Sequence, residues 1–153
     1  MSRNVGVIGL GAMGLGVARS LLRAGFKVHA CDVRSQVLEA FAAEGGIACA
    51  TPAELGSQCE VVVTVVVNAA QTETVLFGSE TQPGAVSTMK PGSVVLACAT
   101  VSPAFFQQTT RRAISPAICL NTISPDAVER EITFCSFSTE ARARMAAKNL
   151  PGR

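Results

Sequence analysis

Continuous apolar runs alternate along the chain with stretches whose apolar residues recur at helical spacing. The connections between them are short, and parallel strands that are buried on both faces are hydrophobic throughout. This pattern predicts an α/β fold, a doubly wound and mostly parallel sheet with helices on both faces. The predicted strands are 4–10, 27–31, 47–50, 60–67 and the end of 90–100, and the predicted helices are 13–24, 35–46, one starting at 51–55, and 68–78.

Residues typical of helix ends support these boundaries. Ser35 is expected to cap the second helix, and Gly25 to follow the end of the first. Thr51 precedes Pro52, which is a favourable start for the third helix. Asn68 stands three residues before a glutamine, which is the spacing of a capping box.

The pattern weakens after residue 103. A helix and a strand are expected there, but Thr109–Thr110 and Ser115–Pro116 are expected to interrupt them. A further helix is predicted at 138–148. We therefore expect a core over 1–103 and a divergent remainder of the same domain over 104–153.

Composition narrows the class of protein. The 153 residues are 48% hydrophobic and 16% charged, which is typical of one globular domain. A net charge of +2 gives no reason to expect nucleic acid or membrane partners. His29 is the sole histidine, so a histidine-cluster metal site is excluded, and no metal is expected. Six cysteines without a C-x-x-C pair, and no signal peptide, suggest reduced thiols in a cytoplasmic protein.

The first predicted strand ends in a glycine motif. Gly9, Gly11 and Gly14 have the spacing G-x-G-x-x-G between a strand and a helix, the context that a dinucleotide site requires. Gly9 permits a tight turn, Gly11 lets a pyrophosphate approach the backbone, and Gly14 lets the helix lie close to the strand. The alternative is a glycine-rich turn that serves packing alone.

An acidic residue ends the second predicted strand. Asp32 lies 18 residues after Gly14, where a carboxylate can accept hydrogen bonds from the adenosine ribose. It would repel a 2′-phosphate, so NAD is favoured, but NADP stays possible because the Arg34 guanidinium could pair with that phosphate. Asp32 could instead be a turn or cap residue.

Several motifs in order resemble the β-hydroxyacid dehydrogenases, which include 3-hydroxyisobutyrate dehydrogenase and the cofactor domain of 6-phosphogluconate dehydrogenase. They are "GLGAMG" (9–14), "AG" (24–25), "VLFG" (75–78), "KPGSVV" (90–95) and "TVSP" (100–103). "TVVVNAAQTETVLFG" (64–78) is similar to the L-threonate dehydrogenase branch. The resemblance implies a Rossmann-type fold and NAD(P)-dependent oxidation of a hydroxyl on a small hydroxy acid or sugar acid.

The resemblance also assigns residues to the cofactor. It places Val67 and Asn68 beside it and Thr100 on the nicotinamide side, with Asn68 equally interpretable as a helix cap. Ser102 is interpreted as a cap. The implied phosphate loop consists of Gly9, Leu10, Gly11, Ala12, Met13 and Gly14.

The substrate half of the family pattern is incomplete. Ser124 falls at the serine that holds the substrate carboxylate, but Pro125 and Asp126 replace the glycines after it. The family's catalytic lysine and its C-terminal helical domain have no counterpart, and Lys148 lacks the motif around that lysine. We therefore expect a truncated family member, without an assigned catalytic residue, that binds cofactor without turnover and exposes surface for self-association.

Two alternatives stay open besides the oxidoreductase. The chain could be a non-catalytic dinucleotide-binding module or a degraded fragment. It could also be an interaction protein that uses the basic residues after 103, although the glutamates among them fit a solvated helix face.

Overall fold

The computed structural model describes residues 4–99, 101–114 and 119–122. Strands and helices alternate through these residues as the hydrophobic pattern predicts. The strands are β1 (Asn4–Ile8), β2 (Lys27–Cys31), β3 (Ile47–Ala48), β4 (Val61–Thr64), β5 (Val94–Ala97) and β6 (Cys119–Thr122). The helices are α1 (Ala12–Arg23), α2 (Ser35–Ala43), α3 (Pro52–Gln58), α4 (Ala69–Phe77) and α5 (Pro103–Ile114), with a 3₁₀ turn at Ala85–Ser87.

The six strands form one sheet in the order β3-β2-β1-β4-β5-β6, and every pairing is parallel. Strands are added outward from β1 to β3, and the chain then returns to place β4 on the other side of β1. The predicted doubly wound sheet is thus confirmed. This order leaves a crevice outside the carboxyl ends of β1 and β4, where open α/β sheets bind their ligands.

Helices cover both faces of the sheet, so the core has two parts. Val7 faces a cluster with α1 and α2 that contains Phe41, whereas the next residue, Ile8, faces the opposite cluster with Leu55 and Leu76. Adjacent residues of a strand point to opposite faces, so β1 needs apolar side chains at both positions. This explains why its sequence is apolar without alternation.

Glycines end the first two helices in the manner expected for Gly25. Its φ is +85°, its N–H donates to Leu22 O at 2.9 Å, and the N–H of Phe26 donates to Leu21 O at 3.1 Å. These two bonds form a Schellman motif. Gly45 ends α2 in the same way. Its N–H donates to Ala42 O, and the N–H of Gly46 donates to Phe41 O.

Two details of the sequence prediction are wrong. Ser35 is the first residue of α2 rather than its cap, because Arg34 holds the cap position and no side chain caps that helix. Thr109 does not interrupt α5. Its buried hydroxyl donates to Phe105 O at 2.8 Å, so the polar side chain is satisfied within the helix.

Other predictions concern residues outside the described part of the chain. These are the helix at 138–148, the loop with Ser124, Pro125 and Asp126, and Thr100. β6 pairs with β5 and so belongs to the same sheet as the earlier strands. The division of the chain at residue 103 stays a prediction. Within the described residues, no helix combines the length and apolarity needed to cross a membrane.

Candidate dinucleotide site

The glycine motif forms the turn from β1 into α1, at the mouth of the crevice. Gly9 has φ +94°, and a Cβ there would lie 2.3 Å from Val65 O. A Cβ on Gly14 would lie 1.8 Å from Gly9 O, so α1 packs directly on the turn. Both glycines are thus required by packing within the protein itself.

Gly11 differs from these two, because an added Cβ would meet nothing within 4 Å. Its φ of −64° suits any residue, so neither the packing nor the backbone of this chain requires a glycine there. The open space lies at the position where a pyrophosphate is expected to approach the backbone. This space fits a dinucleotide, whereas a turn that serves packing alone leaves Gly11 unexplained.

The first turn of α1 supplies donors beside that space. Gly11 occupies the N-cap position without a side-chain bond, and the first bond onto its carbonyl comes from Leu15 N–H, at 2.9 Å. The N–H groups of Ala12, Met13 and Gly14 precede that bond, so they have no partner within the helix. Together with the helix dipole they favour an anion.

The side chains at the other loop positions differ in exposure. Leu10 is buried in the core, so only its backbone faces the crevice. Met13 is 73% exposed and stands at the start of α1.

Asp32 is placed at the end of β2 as expected, and its carboxylate is hydrogen-bonded on both oxygens. Oδ2 accepts from the N–H of Leu10 at 2.6 Å, which ties the end of β2 to the glycine turn. Oδ1 accepts from the N–H and from Nε of Arg34, each at 2.9 Å, and Oδ2 also accepts from Nη2 of Arg34 at 3.1 Å. Asp32 therefore serves as a turn residue in this structure, whatever it binds in addition.

The charge pair between Asp32 and Arg34 determines the protonation of the carboxylate. The hydrogen bonds from the Arg34 side chain lower the pKa of Asp32 to about 2, against the opposing effect of burial, and the Leu10 and Arg34 N–H groups add to the lowering. Asp32 is consequently ionised at neutral pH and is no proton donor there.

Val67 and Asn68 follow β4 on the other side of the crevice. Val67 is 83% exposed, and its N–H donates to Gln71 Oε1 at 2.9 Å. Oδ1 of Asn68 accepts from the N–H of Gln71 at 2.9 Å, which confirms its interpretation as a cap of α4. Ser102 Oγ likewise accepts from Phe105 N–H at 3.3 Å, at the start of α5.

Four thiols have a raised pKa and are protonated at neutral pH. Cys31, Cys49, Cys59 and Cys98 are free, and burial raises the pKa of each, to about 12 for Cys59. Burial lowers the pKa of His29, whose Nδ1 lies 3.8 Å from Cys49 Sγ within the sheet. Among the residues that the structure describes, no three potential ligands of the His, Cys, Asp or Glu type are grouped to hold a metal.

Comparison with known proteins agrees with this geometry. Residues 4–118 match the family described as the NAD binding domain of 6-phosphogluconate dehydrogenase. The chain belongs to this family of dinucleotide-binding domains, and the resemblance seen in its motifs is confirmed.

Individual relatives are named as dehydrogenases, and one protein of the same fold is named as a reductase. L-threonate dehydrogenase of Cupriavidus necator is 64% identical over 112 residues, which are 73% of this chain and 37% of that protein. The crystal structure of 3-hydroxyisobutyrate dehydrogenase from Salmonella typhimurium aligns with a TM-score of 0.72 at 37% identity, covering 78% of this chain and 40% of that one. An imine reductase of Myxococcus stipitatus in complex with NADP+ shares the fold, with a TM-score of 0.70 at 18% identity over 79% of this chain and 40% of that one. The chain thus spans about a third of the length of the curated relatives that it matches.

Proposed function

We propose that the chain binds a nicotinamide dinucleotide in the crevice between β1 and β4, as the cofactor half of an oxidoreductase. The observation that carries this proposal is the open space at Gly11, beside the N–H groups of the first turn of α1. A pyrophosphate there would receive hydrogen bonds from the backbone and the positive end of the helix dipole. Bound in this way, the nicotinamide ring would accept a hydride from a substrate.

The residues assigned to the cofactor that the structure describes lie near the carboxyl ends of β1, β2 and β4. The exposed Met13 and Val67 stand on the two sides of the crevice and offer apolar surface to the ends of the cofactor. Thr100 and the substrate-side candidate Ser124 lie outside the described residues and enter the proposal on the family resemblance alone. The complete cofactor set is Gly9, Leu10, Gly11, Ala12, Met13, Gly14, Asp32, Val67, Asn68 and Thr100.

The substrate class we propose is a small hydroxy acid or sugar acid of the L-threonate kind. The support is the 64% identity to an L-threonate dehydrogenase over 112 residues. That similarity covers 37% of the relative, so the substrate assignment depends on the family and not on a pocket of this chain.

We further propose that this chain by itself binds cofactor without measurable turnover. Oxidation of a hydroxyl needs a group that takes its proton. Of the two lysines in the described residues, Lys27 begins β2 and Lys90 lies in the turn before β5, so both are at the amino ends of strands and away from the crevice. Asp32 is ionised but hydrogen-bonded on both oxygens, and Cys98 is a protonated thiol. None of these described groups is suited to the role of base.

The second candidate function is a non-catalytic dinucleotide-binding module. The same open loop supports it, together with the lack of a suitable base at the crevice among the described residues. NADH production from L-threonate by the purified chain would contradict both this candidate and the proposal that the chain alone gives no turnover.

A matched pair of glycines tests the binding proposal. An added Cβ meets nothing within 4 Å at Gly11 or at Gly16. Gly11 is the N-cap of α1, and Gly16 lies in its second turn. Gly11→Ala should weaken NAD binding at least about tenfold in a calorimetric titration, because the methyl group would occupy the path of the pyrophosphate. Gly16→Ala should leave NAD affinity unchanged and stabilise the chain by about 0.5–1 kcal/mol, since it replaces a glycine within a helix.

Circular dichroism must show that both variants are folded. Equal NAD affinity in the Gly11→Ala variant and the wild type would contradict a pyrophosphate at the loop. Equal loss in both variants would place the effect on α1 as a whole and not on the loop.

We also propose self-association through surface left exposed at the sheet edge. β3 is an edge strand of two residues, and Ile47 within it is exposed. Light scattering coupled to size exclusion tests this, and a monomer at high concentration would contradict it.

A further inference from the structure

One face of the sheet is only partly covered by the described helices. On the first face, Leu55 of α3, Leu76 of α4 and Ala113 of α5 belong to the same apolar cluster as Val62 and Val95. On the second face α1 and α2 pack on β1 and β2, and that cluster contains no residue of β4 or β5 among those described. Parallel sheets are normally covered on both faces, so the second face of β4 and β5 lacks a layer of helix.

The side chains on this uncovered part are apolar. Val62, Val95 and Ala97 point to the covered face. Because adjacent residues of a strand point to opposite sides, the residues that alternate with them point away from it. Leu96 is 36% exposed. This set, which we call the open face, consists of Val61, Val63, Val94, Leu96 and Cys98.

Helix α1 borders the open face on one side. Arg19 pairs with Glu44 at the end of α2, so that side of α1 faces α2. At about 3.6 residues per turn, Val17 and Leu21 lie on the opposite flank, towards β4. The open face and this flank form a trough. A shallow hollow follows the flank and is lined by Met13, Gly16, Val17, Ser20 and Leu21.

The trough has the size of one short helix. Three strands about 4.8 Å apart, each with four residues at about 3.3 Å per residue, give a footprint of roughly 14 by 13 Å. A helix of about 11 residues is about 16 Å long and about 10 Å wide. A standard interface with a second copy would bury roughly 800 Å² on each partner, several times this footprint. The dimensions therefore favour a single helix over a second copy.

We propose that a helix at residues 138–148 of the same chain docks in this trough and completes the second layer over β4 and β5. The roughly 15 residues between Thr122, at the end of β6, and residue 138 can span up to about 50 Å, which is ample. A tether on the same chain also gives a high effective concentration. Residues 138–148 lie beyond the stretch 4–118 that matches the family, so this docking concerns this chain's own residues and does not depend on the dinucleotide site.

The sequence of 138–148 suits such a position. Glu140, Arg144 and Lys148 recur every four residues and form one charged stripe on a helix, for the solvent side. Met145 and Ala146 fall on the side away from it, where small side chains let a helix approach the branched residues of the open face closely. Arg142 also falls on that side, and its aliphatic stem can pack while the guanidinium reaches the solvent.

Two neighbouring alanines provide a matched test in the full chain. Ala146→Asp places a charge on the side towards the trough, whereas Ala147→Asp places the same charge beside the charged stripe, at the same cost in helix propensity. The readout is the rate at which iodoacetamide alkylates Cys98, measured by peptide mass mapping, with the buried Cys31 and Cys59 as internal references. Ala146→Asp should raise the Cys98 rate at least about tenfold over the wild type, and Ala147→Asp should change it less than about twofold.

Circular dichroism must show the same α/β fold in each variant, and Met145→Ser, with the same expected direction, is the second variant if Ala146→Asp does not fold. Docking is overturned if Ala146→Asp and Ala147→Asp give equal Cys98 rates, whether raised or unchanged. It is also overturned if protection of Cys98 in the wild type grows with protein concentration together with a dimer in light scattering, because a second copy would then occupy the trough.

Discussion

Substitution of Asp32 by asparagine should destabilise the fold even in the absence of any ligand. The carboxylate joins the end of β2 to the glycine turn through Leu10 N–H and receives three more donors from Arg34. Asparagine has nearly the same shape, but it has a single acceptor oxygen and no charge. The NH2 group of asparagine is itself a donor. It would lie against N–H donors that the second carboxylate oxygen of Asp32 accepts from.

The magnitude follows from the change in pKa between the unfolded and folded chain. The pKa of Asp32 falls from an ordinary 3.8 to about 2, chiefly through the hydrogen bonds from Arg34. At 1.36 kcal/mol per unit this sets an upper value of about 2.5 kcal/mol. Arg34 is more than half exposed, so solvent screens part of the pairing, and we expect a loss of about 1–2 kcal/mol at pH 7.

The dependence on pH has a definite sign. A lowered pKa in the folded chain means that this stabilisation is present above the unfolded pKa near 3.8 and is lost as the pH falls towards 2. The difference in unfolding free energy between wild type and Asp32→Asn should therefore shrink between pH 4 and pH 2.

Urea unfolding followed by far-ultraviolet circular dichroism is the suitable assay, because the chain has no Trp or Tyr for fluorescence. Glu44→Gln serves as the control, since Glu44 pairs with Arg19 at the surface and should change stability little. Equal stability of Asp32→Asn and wild type at pH 7, or a difference that does not depend on pH, would refute the reasoning.

Three further substitutions address packing and capping, each measured by urea unfolding. Gly14→Ala should cost about 2–3 kcal/mol, because its Cβ would lie 1.8 Å from Gly9 O, and a cost below about 1 kcal/mol would contradict that close approach. Thr64→Val should be neutral or stabilising by up to about 1 kcal/mol, since the buried Thr64 hydroxyl has no hydrogen-bond partner in the described part of the chain, and a loss of stability would contradict this. Asn68→Ala should cost about 1 kcal/mol while Asn68→Ser, which can still cap α4, costs less, and equal costs would argue against the cap.

The order of elements was predictable because local signals and the hydrophobic pattern agree. β2 has the predicted bounds, 27–31, and the glycines after α1 and α2 end those helices with the expected backbone geometry. In a parallel sheet with right-handed connections, few strand orders are compatible with one reversal in the direction in which strands are added. The position of the crevice follows from that order and needs no tertiary detail.

The errors arose where a side chain has a tertiary or local partner that a pattern does not show. Thr109 was expected to interrupt a helix, but its hydroxyl bonds to the preceding turn and its methyl group is buried. Ser35 was expected to be a cap, but Asp32, two residues earlier, binds the N–H of Arg34, and the helix begins at Ser35 with Arg34 in the cap position.

The glycine motif was visible in the sequence, but the different roles of its glycines were not separable there. Spacing alone does not show that Gly9 and Gly14 are fixed by packing whereas Gly11 faces open space. Spacing also does not show that Arg34 folds back over Asp32, because that contact depends on the Leu10 carbonyl 24 positions away. The ribose end of the site is therefore the part for which a structure was needed.

The most direct test of the dinucleotide site is a calorimetric titration of the purified wild-type chain with NAD. We expect saturable binding of one NAD per chain, at a site for which adenosine 5′-diphosphate competes, because the pyrophosphate loop is formed within residues 9–14. Absence of any heat of binding with NAD or NADP, in a chain whose circular dichroism shows the folded α/β sheet, would contradict it.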